Sequence, residues 1–250
     1  MTPERRAVIT DALTIGAVTG AYGGSFGAVA VAAGLSPAQA CALSLLMFTG
    51  GSQFAMVGTI AGGGGAWAGA ATAALLGARN AFYGLELAPM LRVRGLRRLV
   101  GAHLVIDESS AMGVAQPTPA LGRLGFWATG AAVFVGWNAM TLVGAVGASA
   151  LDDPGALGLD VAGPAAFVAL LAPRLAGREP WVVALLAAAL ALAAAPLVPA
   201  GVPVLVAAAV AVVAGLRPGS GPPAVVAAGE RTGDVDEGTG DLDAATGDDA

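Results

Sequence analysis

The chain has 250 residues, of which 56% are hydrophobic and only 12% charged, and its mean hydropathy is +0.77. Soluble domains carry about 25% charged residues, so this composition excludes an ordinary globular surface. Eight of the 17 acids crowd the last stretch, from Glu230 to Asp249; without them and Arg231, 11 arginines face 9 acids. Every basic residue is Arg, and none form a patch interleaved with aromatics, which excludes nucleic acid as a partner. Apolar runs near the roughly 17–25 residues needed to cross a bilayer recur along the chain. The pattern predicts an all-α, polytopic integral membrane protein with seven or eight apolar segments.

In chain order, MTPERRAVITDALTIGAVTG resembles a signal peptide, but Asp11 interrupts the apolar run and further spans follow, so an uncleaved first helix is expected over about 12–35. Pro37 suits the first turn of a second segment that ends in the glycines Gly62–Gly65. A third, AWAGAATAALLGARNAFYGLELAPML, precedes the basic loop RVRGLRR; a fourth, LVGAHLVIDESSAMGVA, stops at Gln116 and Pro117. The fifth runs from about Leu124 to Ala150 and meets the acidic turn LDDPG. LGLDVAGPAAFVALLAPRLAG, PWVVALLAAALALAAAPLVPA and GVPVLVAAAVAVVAGL complete the set. After Pro218 bulky apolar residues nearly vanish, predicting a disordered acidic tail over 219–250 behind a transmembrane domain over 1–218. Cytoplasmic loops tend to be Arg-rich. If the Arg92–Arg98 loop and Arg123 share that side, the segment carrying Asp107 and Glu108 cannot cross once: it is re-entrant, or an earlier segment is broken.

Polar groups within apolar segments mark candidate sites, because ionisable groups in hydrocarbon usually face a cavity or a partner. In FTGGSQFA, helical spacing puts Thr49, Ser52, Gln53 and Met56 on one face, and Gly50 and Gly51 weaken the helix enough to break it. Helix–helix packing glue is the plainer reading. In LLGARNAFYGLE, Arg79, Tyr83 and Glu86 share a stripe, and Arg79 is too deep to snorkel easily; Glu86, Asp107 or Glu108 are its expected partners. A structural ion pair explains that cluster equally. In VIDESSAMG, His103, Asp107 and Ser110 share a helical face, while Glu108 points about 100° away. One of the two acids can then stay protonated by burial, as a proton carrier must, unless both are merely solvated at a helix start. His103, the only histidine, reads as a packed residue. Gly16, Gly20, Gly24 and the pair Gly23/Gly27 have small-xxx-small spacing that favours close packing, and GAYGGSFG is dense enough in glycine to suggest a broken helix. Asn138 lies mid-span in the fifth segment as glue or site lining. The single Cys41 excludes an intrachain disulfide, and no cofactor or metal signature is present.

These stretches resemble the AzlC-type permeases, the large subunits of two-component branched-chain amino acid exporters. GAYGGSFGAVAVAAGLSPAQA is similar to that family's first helix and turn, and FTGGSQFA to its Phe-x-Gly-x-x-Gln-Phe signature through Phe48, Gly50, Gln53 and Phe54. GARNAFYG resembles its Asn-Leu-Arg-His-x-x-Tyr-Gly motif, VIDESSAMG its Asp-Glu motif, and LGLDVAGPAAFVALLAPRLAGR its C-terminal half; together the likeness covers about residues 10–218. Gly77 stands where the family has Asn and Asn80 where it has His, which puts the family's substrate or proton handling at that position in question.

The resemblance implies a secondary transporter, not an enzyme, that exports branched-chain or other hydrophobic amino acids across the bacterial inner membrane. It also implies a small hydrophobic AzlD-type membrane subunit as partner, beside the amino acid and the bilayer. The candidate substrate-binding or coupling residues are Gly23, Gly24, Gly50, Ser52, Gln53, Arg79, Asn80, Tyr83, Asp107, Glu108 and Asn138, with proton coupling through the two acids. An intramembrane enzyme acting on a lipid-linked substrate, or a passive channel, is the alternative expectation.

Overall fold

The computed structural model describes residues 1–151, 168, 171–172, 175–198 and 202–216. Among them the chain is all-α, with ten helices and no strand. They are α1 (Pro3–Ala32), α2 (Pro37–Leu46), α3 (Gly51–Ala61), α4 (Ala66–Gly77), α5 (Arg79–Leu91), α6 (Leu96–His103), α7 (Asp107–Val114), α8 (Pro119–Ser149), α9 (Arg178–Ala194) and α10 (Val202–Gly215). Most of the expected sixth segment, the LDDPG turn beyond Leu151, and the acidic tail lie outside the described residues.

Starts are written locally. Thr2 accepts a hydrogen bond from the Arg5 N–H, at 3.4 Å, ahead of Pro3. Thr118 does the same for Leu121 ahead of Pro119, at 3.3 Å. Ser36 and Gln39 form a reciprocal capping box at 3.2 and 2.8 Å around Pro37. A hydroxyl cap followed by proline satisfies orphan N–H groups and presets the first helical φ.

The centre of the molecule is the α1–α8 pair. Gly16 faces Ala132, Gly20 faces Gly136, Gly23 faces Trp137 and Gly27 faces Thr141, so the two helices run in the same direction. A Cβ at Gly20 would stand 2.9 Å from the Gly136 backbone, and at Gly23 or Gly27 it would collide with the carbonyl oxygen of Trp137 or Thr141. Backbones this close leave no room for a methyl, which is why the stripe is glycine. The expected break at GAYGGSFG is therefore corrected: α1 is one helix throughout, because the glycines are used laterally for packing. Gly27→Val is expected to destabilise the protein by roughly 1–3 kcal/mol through overpacking, read as a lower unfolding temperature in detergent.

Two helices, α1 and α8, are each long and apolar enough to cross a membrane. The expected count of seven or eight apolar segments is not confirmed among the described residues. The second, third and fourth segments are each interrupted near mid-length, and halves of 8–13 residues result. An eight-residue helix spans about 12 Å, less than half of a hydrocarbon core about 30 Å thick.

Packing along α8 gives the course of each half. Ser44 meets Thr141 and Phe48 meets Phe134, so α2 runs antiparallel to α8. From the tip at 47–50 the chain turns back: Phe54 packs on Phe26 and Trp137, and Ser52 and Met56 of α3 lie along Gly77 and Gly69 of antiparallel α4. Ala78 keeps right-handed helical angles, so α4 and α5 form one kinked helix leading to the end where α1 and α8 begin. There Arg123 Nη1 donates to the Met90 carbonyl at 3.2 Å. Next, α6 climbs beside α8, with Gly101 at Trp127 and Leu104 at Gly130, and α7 descends, with Met112 at Gly125 and Gly113 at Phe126. The segment is thus a hairpin entering from the end opposite to α2–α3, as the loop-charge conflict allowed. Because the chain turns at 104–106, where Ile106 is extended, His103 and Asp107 belong to different helices, which corrects their expected common face.

Large apolar side chains cover the perimeter: Val18, Phe82, Leu85, Val135 and Val143 are all at least 60% exposed. In water such a belt would be an aggregation surface; against lipid tails it is solvated.

Candidate functional site

The two hairpin tips and the α4–α5 kink meet midway along α1 and α8 around a cavity of about 400 Å³, within the range of small-molecule sites. Its polar lining is Thr49, Gly50 and Gly51 from the first tip, Arg79 from the kink, and Asp107 and Glu108 from the second tip. Its apolar lining is Phe48, Phe54, Leu76, Ile106, Val133, Trp137 and Leu171, with Thr19 and Tyr22 contributed by α1.

The first tip depends on two residues. Gly50 has φ +57° and ψ −96°, a conformation that only glycine adopts readily. Gln53, fully buried, accepts from the Gly50 N–H at 3.1 Å and donates through Nε2 to the Leu43 carbonyl at 3.4 Å. The glutamine clamps α3 to α2 instead of reaching the cavity. Gln53→Leu leaves a buried N–H and carbonyl unpaired and is expected to cost about 1–3 kcal/mol, measured by thermal unfolding.

At the kink, Arg79 opens α5 and joins three elements. Its Nε and Nη2 donate to Asp107 Oδ1 and Oδ2 at 3.0 and 3.2 Å, and Nη1 donates to the Leu76 carbonyl at the end of α4, at 3.0 Å. A bidentate guanidinium–carboxylate pair is among the stronger side-chain contacts. Two of the guanidinium's five N–H donors lie outside these bonds. Nη2 also passes 3.7 Å from where Gly51 would carry a Cβ, which brings the cation to the start of α3.

In the second tip, Ser109 holds the turn: its hydroxyl accepts from the Ile106 N–H at 3.1 Å and lies 2.6 Å from the Leu104 carbonyl, to which it donates. Asp107 and Glu108 occupy the first turn of α7, where negative charge complements the helix dipole. Among the described residues Glu108 makes no ion pair.

Of the eleven candidates, Gly50, Arg79, Asp107 and Glu108 line the cavity and Gln53 supports it. Ser52 is buried against Gly77. Gly23 and Gly24 pack on α8. Asn80 and Tyr83 are half-buried on α5 and are not part of the lining, and Asn138 donates to the Phe134 carbonyl one turn earlier, at 2.8 Å. Glu86 is exposed, so Arg79 pairs with Asp107. His103 packs against the rings of Phe48 and Phe134, with centroids 5.9 and 5.7 Å away. Sequence reasoning missed Trp137 and Val133, which stand on α8 at four-residue spacing like any buried pair; only the neighbouring polar Asn138 drew notice.

A protein-family model described as AzlC protein matches residues 14–151, from α1 to the end of α8, which includes both hairpins and the cavity residues of those elements. Neither a curated protein nor a solved structure matches the chain significantly.

Proposed function

The chain belongs to the AzlC family, and on that premise we propose that it is a secondary transporter exporting branched-chain or other hydrophobic amino acids across the inner membrane. Family membership and the apolar helices α1 and α8 support membrane transport as the general activity. The observation that carries the finer reading is a cavity lined both by charged groups and by large apolar side chains. A zwitterion with a branched tail carries both kinds of group. Its carboxylate is received by the guanidinium of Arg79 and the start of α3, its ammonium by Asp107 and Glu108, and its tail by Phe48, Phe54, Ile106 and Val133. Helix starts at broken helices are natural seats for carboxylates in transporters.

The charge distribution supports an orientation. Arg5 and Arg6 at the start of α1, Arg123 at the start of α8 and Arg92, Arg94, Arg97 and Arg98 between α5 and α6 all gather at one end. That end faces the cytoplasm by the positive-inside rule. The α6–α7 hairpin then enters from the cytoplasm and α2–α3 from the opposite side, so either tip can act as the moving gate of an alternating-access cycle. The small AzlD-type subunit belongs to the same proposal as the partner required for activity.

Inside-out membrane vesicles containing the chain with such a subunit should take up labelled leucine when the lumen is acid. The lumen stands for the outside, and proton antiport exchanges a luminal proton for leucine. Uptake that neither saturates nor responds to the gradient identifies a channel and rejects the carrier.

A further inference from the structure

Arg92 is the one residue other than glycine with a positive φ among the described residues, +48°, where α5 ends. Glycine is the usual choice for such a left-handed helix end. Here the arginine folds back, and its Nε donates to the Pro89 carbonyl at 3.1 Å. The next carbonyl, that of Met90, takes Arg123 Nη1 from the start of α8 at 3.2 Å. Consecutive helical carbonyls are close neighbours, so the two donor nitrogens are no more than about 10 Å apart. Both arginines are exposed, and among the described residues neither pairs with a carboxylate. The negative end of the α5 dipole favours the two cations, but each keeps four further N–H donors. Phosphate accepts from several guanidiniums at once and removes the repulsion between them. An apolar track begins at the same level. Gly101 of α6 lies at Trp127, one turn beyond Arg123, and its Cβ position is 3.8 Å from Val93, the neighbour of Arg92. On the same helix Leu96, Leu99 and Val100 share a face, with Leu96 and Leu99 75% and 68% exposed. Because α6 climbs away from the arginine-rich end, this face runs from the level of the cations toward the middle of the bilayer.

From this juxtaposition we infer that the junction of α5, α6 and α8 is a binding site for an anionic phospholipid, with its phosphate on Arg92 and Arg123 and an acyl chain along Leu96, Leu99 and Val100. Basic groups at the cytoplasmic ends of membrane helices are suited to anionic head groups, and the exposed apolar face beside them fits the rest of the same molecule. The acidic stretch Glu230–Asp249 of this chain also has the right charge, but it offers only Val235 and Leu242 to cover that face. The site is separate from the central cavity, none of whose lining residues it uses.

Thermal unfolding of the full-length protein in detergent tests this, because a ligand that binds only the folded state raises the unfolding temperature. Added phosphatidylglycerol is expected to raise it, and phosphatidylcholine at the same mole fraction to leave it in place. Arg92→Gln/Arg123→Gln should need at least tenfold more phosphatidylglycerol for the same rise, through the loss of two charged donors. Arg5→Gln/Arg6→Gln removes the same charge from the same end and should lose clearly less. If the first variant does not fold, Leu96→Ser/Leu99→Ser, confined to exposed side chains, decides in its place and should weaken the response several-fold through lost apolar contact. An equal loss in the two arginine variants reduces the site to diffuse attraction and overturns it. So does an unchanged response in Leu96→Ser/Leu99→Ser, or the same rise from inorganic phosphate alone. A response that appears only after the eight acids of Glu230–Asp249 are replaced by Asn and Gln gives the face to the acidic stretch and overturns the lipid assignment.

Discussion

Arg79→Gln is expected to abolish leucine transport and also to lower stability, whereas Arg79→Gln combined with Asp107→Asn should recover stability without recovering transport. The single change removes three charge-assisted hydrogen bonds, each worth about 1.5–3 kcal/mol in a sheltered setting, and takes the paired cation away from the Asp107 carboxylate. The two side chains are 26% and 33% exposed, so the lower end of that range applies. Removing both partners leaves no orphaned charge, and stability returns. Transport does not, because the substrate carboxylate has lost the guanidinium and its ammonium keeps only Glu108. Arg79→Lys separates the roles further. An ammonium cannot span both Asp107 oxygens and the Leu76 carbonyl at once, so this variant should fold and transport at least tenfold more slowly, by the loss of one charged hydrogen bond or more. Stability is read by thermal unfolding in detergent and transport by labelled leucine flux. Transport in the double variant at the unaltered rate would make the pair a structural tie and nothing more.

Glu108→Gln is expected to behave differently, keeping leucine exchange while losing the response to a pH gradient. Asp107 is neutralised by Arg79 through two bonds, whereas Glu108 lines the same cavity with no ion pair among the described residues. In the proposed antiport cycle a carboxylate takes up a proton on one side and releases it on the other, and the unpaired acid is the one free to do so. Glutamine mimics the protonated form permanently. Leucine-for-leucine exchange then continues, but acid in the lumen of inside-out vesicles no longer drives uptake. In Asp107→Asn/Glu108→Gln both functions should disappear; wild-type-like, gradient-driven flux in that variant would remove the coupling role from both acids.

Much of the site can be read before folding because its residues are chemically out of place. Gly50, Arg79, Asp107 and Glu108 stand out as breakers or charges within apolar runs, and all four line the cavity. The conflict among loop arginines makes a hairpin at the acids one of two solutions, the other being a broken earlier segment. Other features are invisible to such reasoning. Hydrophobic runs of equal length describe a crossing helix and a re-entrant pair alike; in the second segment only Gly50 and Gly51 point to a break, and the return of the chain there depends on Gln53 bonding back to α2. The glycines of α1 read equally as a break and as a packing stripe, and only the backbone of α8 against them decides. Asn138 attracts attention as a polar residue mid-span, but a bond to its own helix absorbs its amide donor. Its neighbour Trp137 reads as core; its place in the cavity lining is a property of three-dimensional surroundings that no periodicity encodes.

Transport of an amino acid through one cavity between opposed hairpin tips predicts counterflow. Proteoliposomes holding the chain and its small subunit, loaded with unlabelled leucine and diluted into labelled leucine, should accumulate label transiently above the outside concentration with no ion gradient imposed. Leucinamide loaded in place of leucine should drive none. Label that only equilibrates, at the same rate whatever is loaded inside, would contradict an alternating-access carrier.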